Sequence, residues 1–484
     1  MDKITCPLAQ AAEKFPKETA LILGPRSVSY RQLDQCVSCT TKQLKKLGLR
    51  KGQRVAVVDT NSLEYIVILF SLWRMGVTAG LLSARLPEDA LNNQLKKINA
   101  QILFTSQKQY SLSRKITLRK FRPDEVISFD MYGSGAGPKD RLEVEQPATI
   151  VFTSGSSGNP KAALLSFGNL YYNALGSNEN IPVEKGDRWL LSLPLYHVAG
   201  LGILLRATLG GAAIVLPKEE EDLLAGIAHN KITHVSCVTT QLFRILQAHP
   251  APKEIASLKA ILLGGGPIPL NLLKEAIDYE LPVYVTYGLT EMASQVATST
   301  EPVNSATQRP AARVLHYRQV KIAADGEILV KGETLFKGYV DGERAKLSLD
   351  AEGWFATKDM GALDDEGNLT VTGRKDHLFI SGGENVQPEE IEACLNQLPG
   401  IVESVVVPVA NREFGFRPVA FLRTESSGEL TTPQIRSHLE KSLPKFKIPA
   451  AFYEWPITAA EDDKPNRRTF TDLVGQPLAL KPIA

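Results

Sequence analysis

The chain has 484 residues, 43% of them hydrophobic and 22% charged, which is enough to bury a large core and to divide into two or more domains. Its 55 basic and 53 acidic side chains nearly cancel, so no overall field points to nucleic acid or an anionic membrane as the main partner, and binding has to be local. The opening MDKITCPLAQAAEKF has no apolar leader, YIVILFSLW is too short to span a bilayer, and five cysteines suit a reducing compartment, so a cytoplasmic protein without an integral membrane segment is expected.

In chain order, SYRQLDQCVSCTTKQLKKLG reads as an amphipathic helix, which makes Cys36 and Cys39 two small side chains on a helix rather than a redox or zinc pair. RVAVVD, NSLEYIVILFSLWRMG and VTAGLLS then alternate strand, helix and strand, and LNNQLKKINA with QILFTS repeats the pattern. ATIVFTSG, GAAIVLP, THVSCVTT, LKAILLGGG and LPVYVTYG continue it as short β-rich runs closed by Gly, Ser or Thr. This pattern predicts an α/β fold whose ligands bind at the carboxyl ends of its strands. Beyond about residue 320 the signals become antiparallel: VKIAADGEILVKG and ALDDEGNLTVTG each set a polar, Gly-containing turn between alternating apolar runs. A smaller α+β unit follows, with Pro388 at a first helical position and Glu389 and Glu390 at the positive helix end. The expected division is a large N-terminal domain of parallel and mixed sheets flanked by helices, residues 1–375, and a small mobile α+β domain, residues 376–484.

The loop TSGSSGNPK directly follows the strand ATIVF. Gly155 and Gly158 let backbone N–H groups approach an anion, Thr153, Ser154, Ser156 and Ser157 offer hydroxyls, and Lys161 adds charge, a set that suits a polyphosphate. It is not a Walker A loop, since Lys161 follows a proline and precedes an alanine. By itself such a loop is more often a plain turn. PLYHVAG at 194–200, GGGPIP at 264–269, YGLTE at 287–291, WFATKDMG at 354–361 and GRKDHLFISGGENVQPEEIE at 373–392 follow it in order.

With those motifs the chain resembles the adenylate-forming superfamily of acyl-CoA synthetases, luciferases and peptide-synthetase adenylation domains. The resemblance implies two half-reactions in one site: a carboxylate attacks the α-phosphate of ATP to give acyl-AMP and pyrophosphate, and a thiol then displaces AMP. It implies that Thr153 to Lys161 cover the β- and γ-phosphates, and that Tyr287 stacks on adenine against the backbone of Gly264, Gly265 and Gly266. It further implies that Thr290 contacts the α-phosphate, with Gly288 also among the nucleotide-binding residues, that Glu291 binds Mg²⁺, and that Asp359, with Arg374 nearby, holds the ribose. His197 matches a histidine between the acyl pocket and the thiol route. Asp376 matches the hinge of the small domain, whose rotation brings Gly382 and Gly383 to the pantetheine of coenzyme A. The family's terminal lysine corresponds to Lys464; Asp462 and Asp463 stand before it where a glycine is usual, while the K-x-x-R spacing to Arg467 is kept.

Within the superfamily the chain most resembles the 2-succinylbenzoate:CoA ligases, through PLYHVAGLGILLR, THVSCVTTQLFRIL, YGLTEMASQVAT, ISGGENVQPEEIE and FGFRPVAF. That substrate carries a succinyl and an aromatic carboxylate, and Arg206 matches a basic position that recognises the acid, with Ser236 and Thr240 as further candidate donors. The bland alternative for Arg206 is a surface arginine on a helix. Two alternatives for the whole chain are a ligase for another aryl or medium-chain acid and a degenerate adenylate-binding protein without turnover. The oligomeric state stays open, a homo-oligomer included.

Overall fold

The computed structural model describes residues 2–106, 116–127, 141–153, 160–218, 221–306, 312–382, 384–424, 430–456, 467–474 and 482–483. Three large sheets organise them, beside a two-stranded one that pairs Lys3–Thr5 with Arg141–Glu143. The first has eight strands, with Arg54–Val58 at the centre of a parallel set formed with Thr78–Leu82, Ile102–Thr105, Arg119–Phe121 and Pro147–Thr153. Its far side is antiparallel and runs through Lys161–Ser166, Gly338–Asp341 and Arg344–Lys346.

The second sheet has thirteen strands. Thr19–Leu23, Ala213–Leu216, Arg188–Leu190, His234–Cys237, Ala260–Leu263 and Val283–Leu289 pair in parallel. Ser294–Thr298 begins the antiparallel side, which continues through Ala312–Val314, Asn368–Arg374, Phe355–Leu363 and Glu327–Gly332 to Arg318–Ile322, and Arg26–Ser29 lies antiparallel to Thr19–Leu23 at the opposite edge. The antiparallel region thus starts near residue 294, earlier than the hairpin signals near 320 indicate, because Ser294–Thr298 folds straight back on the preceding strand through the turn Thr290–Met292. The third sheet joins Phe379–Ser381, Glu384–Val386, Ile401–Asn411, Gly415–Thr424 and Phe452–Glu454.

Local signals explain the helices beside these sheets. Tyr30–Lys46, which holds Cys36 and Cys39, starts with a capping box between Ser29 and Gln32. Leu63–Met75, the stretch YIVILFSLW included, is buried along most of its length and ends on Gly76 in the left-handed conformation, so its apolar run fills the core. Among the described residues no helix is long and apolar enough to cross a membrane. Pro388 opens the helix Pro388–Leu395, as its fixed φ favours.

Two features of strand order place the site. After Arg188–Leu190 the chain passes to Ala213–Leu216 on one side and then to His234–Cys237 on the other, and after Arg54–Val58 it likewise turns to Thr78–Leu82 and then to Ile102–Thr105. Such reversals open a crevice at the carboxyl ends of the strands. Asn61, just past Val58, joins the two crevices: its side-chain amide donates to the carbonyls of Leu191 (3.3 Å) and Leu193 (2.9 Å) and accepts from the Leu195 N–H at 2.9 Å. The loop leading to His197 is thereby tied to the first sheet.

Candidate active site

Lys161 and Thr153 are cross-strand partners in the antiparallel pair formed by Pro147–Thr153 and Lys161–Ser166. Ser154, Gly155, Ser156, Ser157 and Gly158 lie outside the described residues, as do Gly383 and Lys464. Lys97 Nζ donates to the Pro160 carbonyl at 2.7 Å and fixes the far end of the loop. Lys161 Nζ lies 4.8 Å from the centroid of the Tyr339 ring, and Tyr339 donates its hydroxyl to Glu291 Oε1 at 2.5 Å. Burial, followed by the adjacent Glu291 carboxylate, pushes the Tyr339 phenol well up, so it stays a donor. Tyr339 therefore bridges the loop lysine and the candidate metal-binding glutamate. A lone tyrosine in FKGYVD gives no hint of this in the sequence.

A second chain of contacts starts in the same segment as Glu291. Tyr287, near the end of the strand Val283–Leu289, donates its hydroxyl to Asp359 Oδ2 at 2.6 Å. Arg374 donates to Asp359 Oδ1 at 2.8 Å and reaches Asp376 with Nε at 3.1 Å and Nη2 at 3.2 Å. Burial opposes the charge on Arg374, but Asp376 and Asp359 outweigh it and raise its pKa. Asp359 sits inside the strand Phe355–Leu363 rather than capping a turn. The preceding Lys358 has φ 64°, rare for a residue with a side chain, and the pairing slips between Met360 and Gly361. A bulge of this kind re-aims a side chain, here the carboxylate of Asp359, toward Tyr287. Thr357 steadies it by accepting the Asp359 N–H at 3.0 Å.

Gly264 to Gly266 leave the end of the strand Ala260–Leu263. Gly265 has φ 89°, which favours glycine, and a Cβ on Gly266 would meet nothing within 4 Å, so the backbone borders open space. Gly288 is packed against the Ser294 carbonyl, which a Cβ would approach to 2.1 Å. Thr290 opens the 3₁₀ turn Thr290–Met292. Ser236 and Thr240 are at the next strand end, and the hydroxyl of each is buried without a hydrogen-bond partner. Orphaned hydroxyls at a strand end suit a polar ligand.

His197 is the N-cap of the helix Val198–Gly210 and is exposed, with its ring 4.7 Å from that of Tyr196. Two turns further along, Arg206 is 1% exposed, which rules out the surface-arginine alternative. Among the described residues no carboxylate lies within ion-pair distance of it, its Nε has no hydrogen-bond partner, and Nη2 reaches only Ser294 Oγ at 3.5 Å. Burial pulls its pKa down to about 9, which still leaves a cation at neutral pH. An uncompensated buried charge is costly, so the fold holds a cation that calls for an anion.

Asp376 is exposed in the short turn Lys375–His377, between the second and third sheets. Gly382 lies in the turn after Phe379–Ser381 and donates its N–H to the Phe414 carbonyl at 2.9 Å. Two groups of contacts thus form, Lys161 with Glu291 through Tyr339, and Tyr287 with Asp359 and Arg374 directly, while Ser236 and Thr240 lie near a neighbouring strand end and Arg206 lies beside Trp189 and Ser294.

Residues 8–340 match the AMP-binding enzyme family, and residues 390–460 match the AMP-binding enzyme C-terminal domain. The 2-succinylbenzoate–CoA ligase of Bacillus licheniformis is 33% identical over 461 residues, 92% of this chain and 95% of that protein. The one from Oceanobacillus iheyensis is 35% identical over 469 residues, 94% of this chain and 96% of that protein. Among solved structures, the o-succinylbenzoate CoA synthetase of Bacillus subtilis in complex with the acyl-adenylate intermediate superposes with a TM-score of 0.85 at 31% identity, covering 98% of this chain and 99% of that one. The same enzyme in complex with ATP and magnesium ion gives 0.82 at 31%, covering 94% and 96%.

Proposed function

We propose that this chain, which belongs to the AMP-binding enzyme family, ligates 2-succinylbenzoate to coenzyme A through an acyl-AMP intermediate, releasing AMP and pyrophosphate, and that it works in the cytoplasm. One carboxylate of the acid attacks the α-phosphate of ATP and pyrophosphate leaves; the thiol then attacks the acyl carbon and AMP leaves. The observation that carries the choice of acid is the buried, carboxylate-free Arg206, which fits the carboxylate that does not react.

The remaining roles are those the family resemblance implies. Tyr287 and the backbone of Gly264, Gly265 and Gly266 flank adenine; Asp359, oriented by Tyr287 and Arg374, accepts the ribose hydroxyls. Thr153 and Lys161, with the loop between them, hold the outer phosphates, and Gly288 and Thr290 border the α-phosphate. His197 stands between acid and thiol, and Gly382 with Gly383 lines the pantetheine path. Glu291 would hold Mg²⁺ together with phosphate oxygens, where the ion would neutralise charge. Lys464 stabilises the charge that develops at the reacting carboxylate and the α-phosphate. We place the boundary between residues 1–375 and 376–484, with Asp376 as the hinge.

A panel of aromatic and medium-chain acids in a pyrophosphate-release assay tests the substrate assignment. 2-Succinylbenzoate should give the highest kcat/KM; an equal or higher value for a monocarboxylate of the same size removes the assignment.

Glu291→Gln keeps an oxygen for the Tyr339 hydroxyl but removes the charge on the ligand. It should raise the Mg²⁺ concentration for half-maximal adenylation about tenfold. A magnesium titration with unchanged midpoint would move the metal site elsewhere.

Asp376→Pro fixes φ and removes an N–H where a hinge has to change its dihedrals, and it also releases Arg374 from its second carboxylate. Thioester formation from supplied acyl-AMP should fall roughly tenfold or more while adenylation is spared. Unchanged rates in both steps would place the hinge at another residue.

A further inference from the structure

We propose that Trp189 is the positioning residue that holds the Arg206 guanidinium in the orientation from which it meets the non-reacting carboxylate of the acid. The proposal rests on the reading of Arg206 given above.

Arg206 has a long side chain with many rotamers, and without a carboxylate partner nothing obvious selects one. The surroundings supply that selection. Arg206 Cζ lies 5.6 Å from the centroid of the Trp189 indole, within the range of a cation–π contact. Trp189 is 1% exposed on the strand Arg188–Leu190, so this contact is shielded from water. A guanidinium has donors and no acceptor, so what the indole offers Arg206 is its π face rather than its N–H.

Two neighbours shape the arrangement. His234 stacks on the same indole, with centroids 5.1 Å apart and planes at 29°, and burial lowers its pKa, which keeps it from competing as a second cation for the ring. Gly202 is one helical turn before Arg206, and a Cβ there would come within 2.6 Å of Nη2, so the guanidinium folds back toward the helix N-terminus over an absent side chain. That end of the helix bears His197. Meanwhile Arg318, a second buried arginine whose three donor nitrogens bond to the carbonyls of Gln295, His316 and Asn173, repels Arg206 electrostatically. An unheld Arg206 would turn away from it.

The test is a double-mutant cycle in the full chain, with Trp189→Leu, Trp189→Phe, Arg206→Leu and the double variants. KM would be measured for 2-succinylbenzoate, for an analogue lacking the second carboxylate, and for ATP. Trp189→Leu should raise KM for 2-succinylbenzoate about 2- to 30-fold, and Trp189→Phe, which keeps a weaker π face, by less. KM for the analogue and for ATP should stay put, and neither substitution should add to the effect of Arg206→Leu. Should the leucine variant fail to fold, the phenylalanine cycle decides. Equal effects on both acids, or additive effects with Arg206→Leu, would overturn the role of Trp189 alone; an Arg206→Leu enzyme indifferent to the second carboxylate would overturn the parent reading and this one with it.

Discussion

Replacing Lys464 with alanine should slow acyl-AMP formation by about 10²- to 10³-fold, because a positioned cation at the reacting carboxylate and α-phosphate acts on charge that develops in the transition state. Thioester formation from supplied acyl-AMP should change much less, since the lysine has no part in displacing AMP. Lys464 itself lies outside the described residues, but its surroundings bear on the expectation. Arg467, three residues on, donates to Glu392 at 2.5 and 3.1 Å and to Glu389 at 3.2 Å. Burial disfavours its charge, yet the two glutamates raise its pKa. Glu389 also receives His377 Nδ1 at 2.5 Å, one residue beyond the hinge position. Arg467 is therefore pinned to the helix Pro388–Leu395, which follows the proposed hinge in the chain. Single-turnover measurements of each half-reaction decide the matter. Equal losses in both would mean that Lys464 supports the fold of the small domain rather than the adenylation step.

Arg206→Leu should reduce kcat/KM for 2-succinylbenzoate by roughly 10- to 150-fold, corresponding to about 1.5 to 3 kcal/mol for a charge-assisted contact. The loss should fall mainly on KM, because the partner carboxylate does not react and is bound equally in ground and transition states. The structure adds a second consequence. Since Arg206 is buried without a carboxylate, removing it relieves an uncompensated charge, so the free variant should be no less stable than the parent enzyme and more stable if leucine packs well. Steady-state kinetics with the two acids and a thermal unfolding curve check both statements. A variant that loses activity toward both acids alike and also unfolds earlier would show that Arg206 is structural.

The strands were legible because each apolar run closed by Gly, Ser or Thr has the length and composition of a buried parallel strand, and the hairpins because their polar turns interrupt an alternating pattern. The division of the parallel strands between two sheets was not legible. A buried strand is apolar on both faces, so nothing in RVAVVD or ATIVF names its neighbour. Lys161–Ser166 shows the same limit: KAALLS reads as a short apolar run, and nothing in it names Pro147–Thr153 as its antiparallel partner.

The site divides in a similar way. Motifs local in sequence, such as YGLTE, located Tyr287 and Glu291, whereas the partners that orient them come from elsewhere. Asp359 is 72 residues from Tyr287, and Tyr339 is 48 residues from Glu291. Asn61, Tyr339 and Trp189 carry no pattern that would single them out, since an amide or an aromatic near a strand is usually packing. The burial of Arg206 was hidden for a different reason. Arginine on a helix is exposed by default, and only the meeting of that helix with Trp189, Ser294 and Arg318 encloses it.

Product detection tests the proposed ligation most directly. The purified chain would be incubated with 2-succinylbenzoate, ATP, Mg²⁺ and coenzyme A, and the products followed by mass spectrometry. The coenzyme A thioester of 2-succinylbenzoate should form with AMP and pyrophosphate in equal amounts, and the acyl-adenylate should accumulate on the enzyme when coenzyme A is left out. Formation of ADP and phosphate, or the absence of thioester with this acid while another acid yields one, would contradict it.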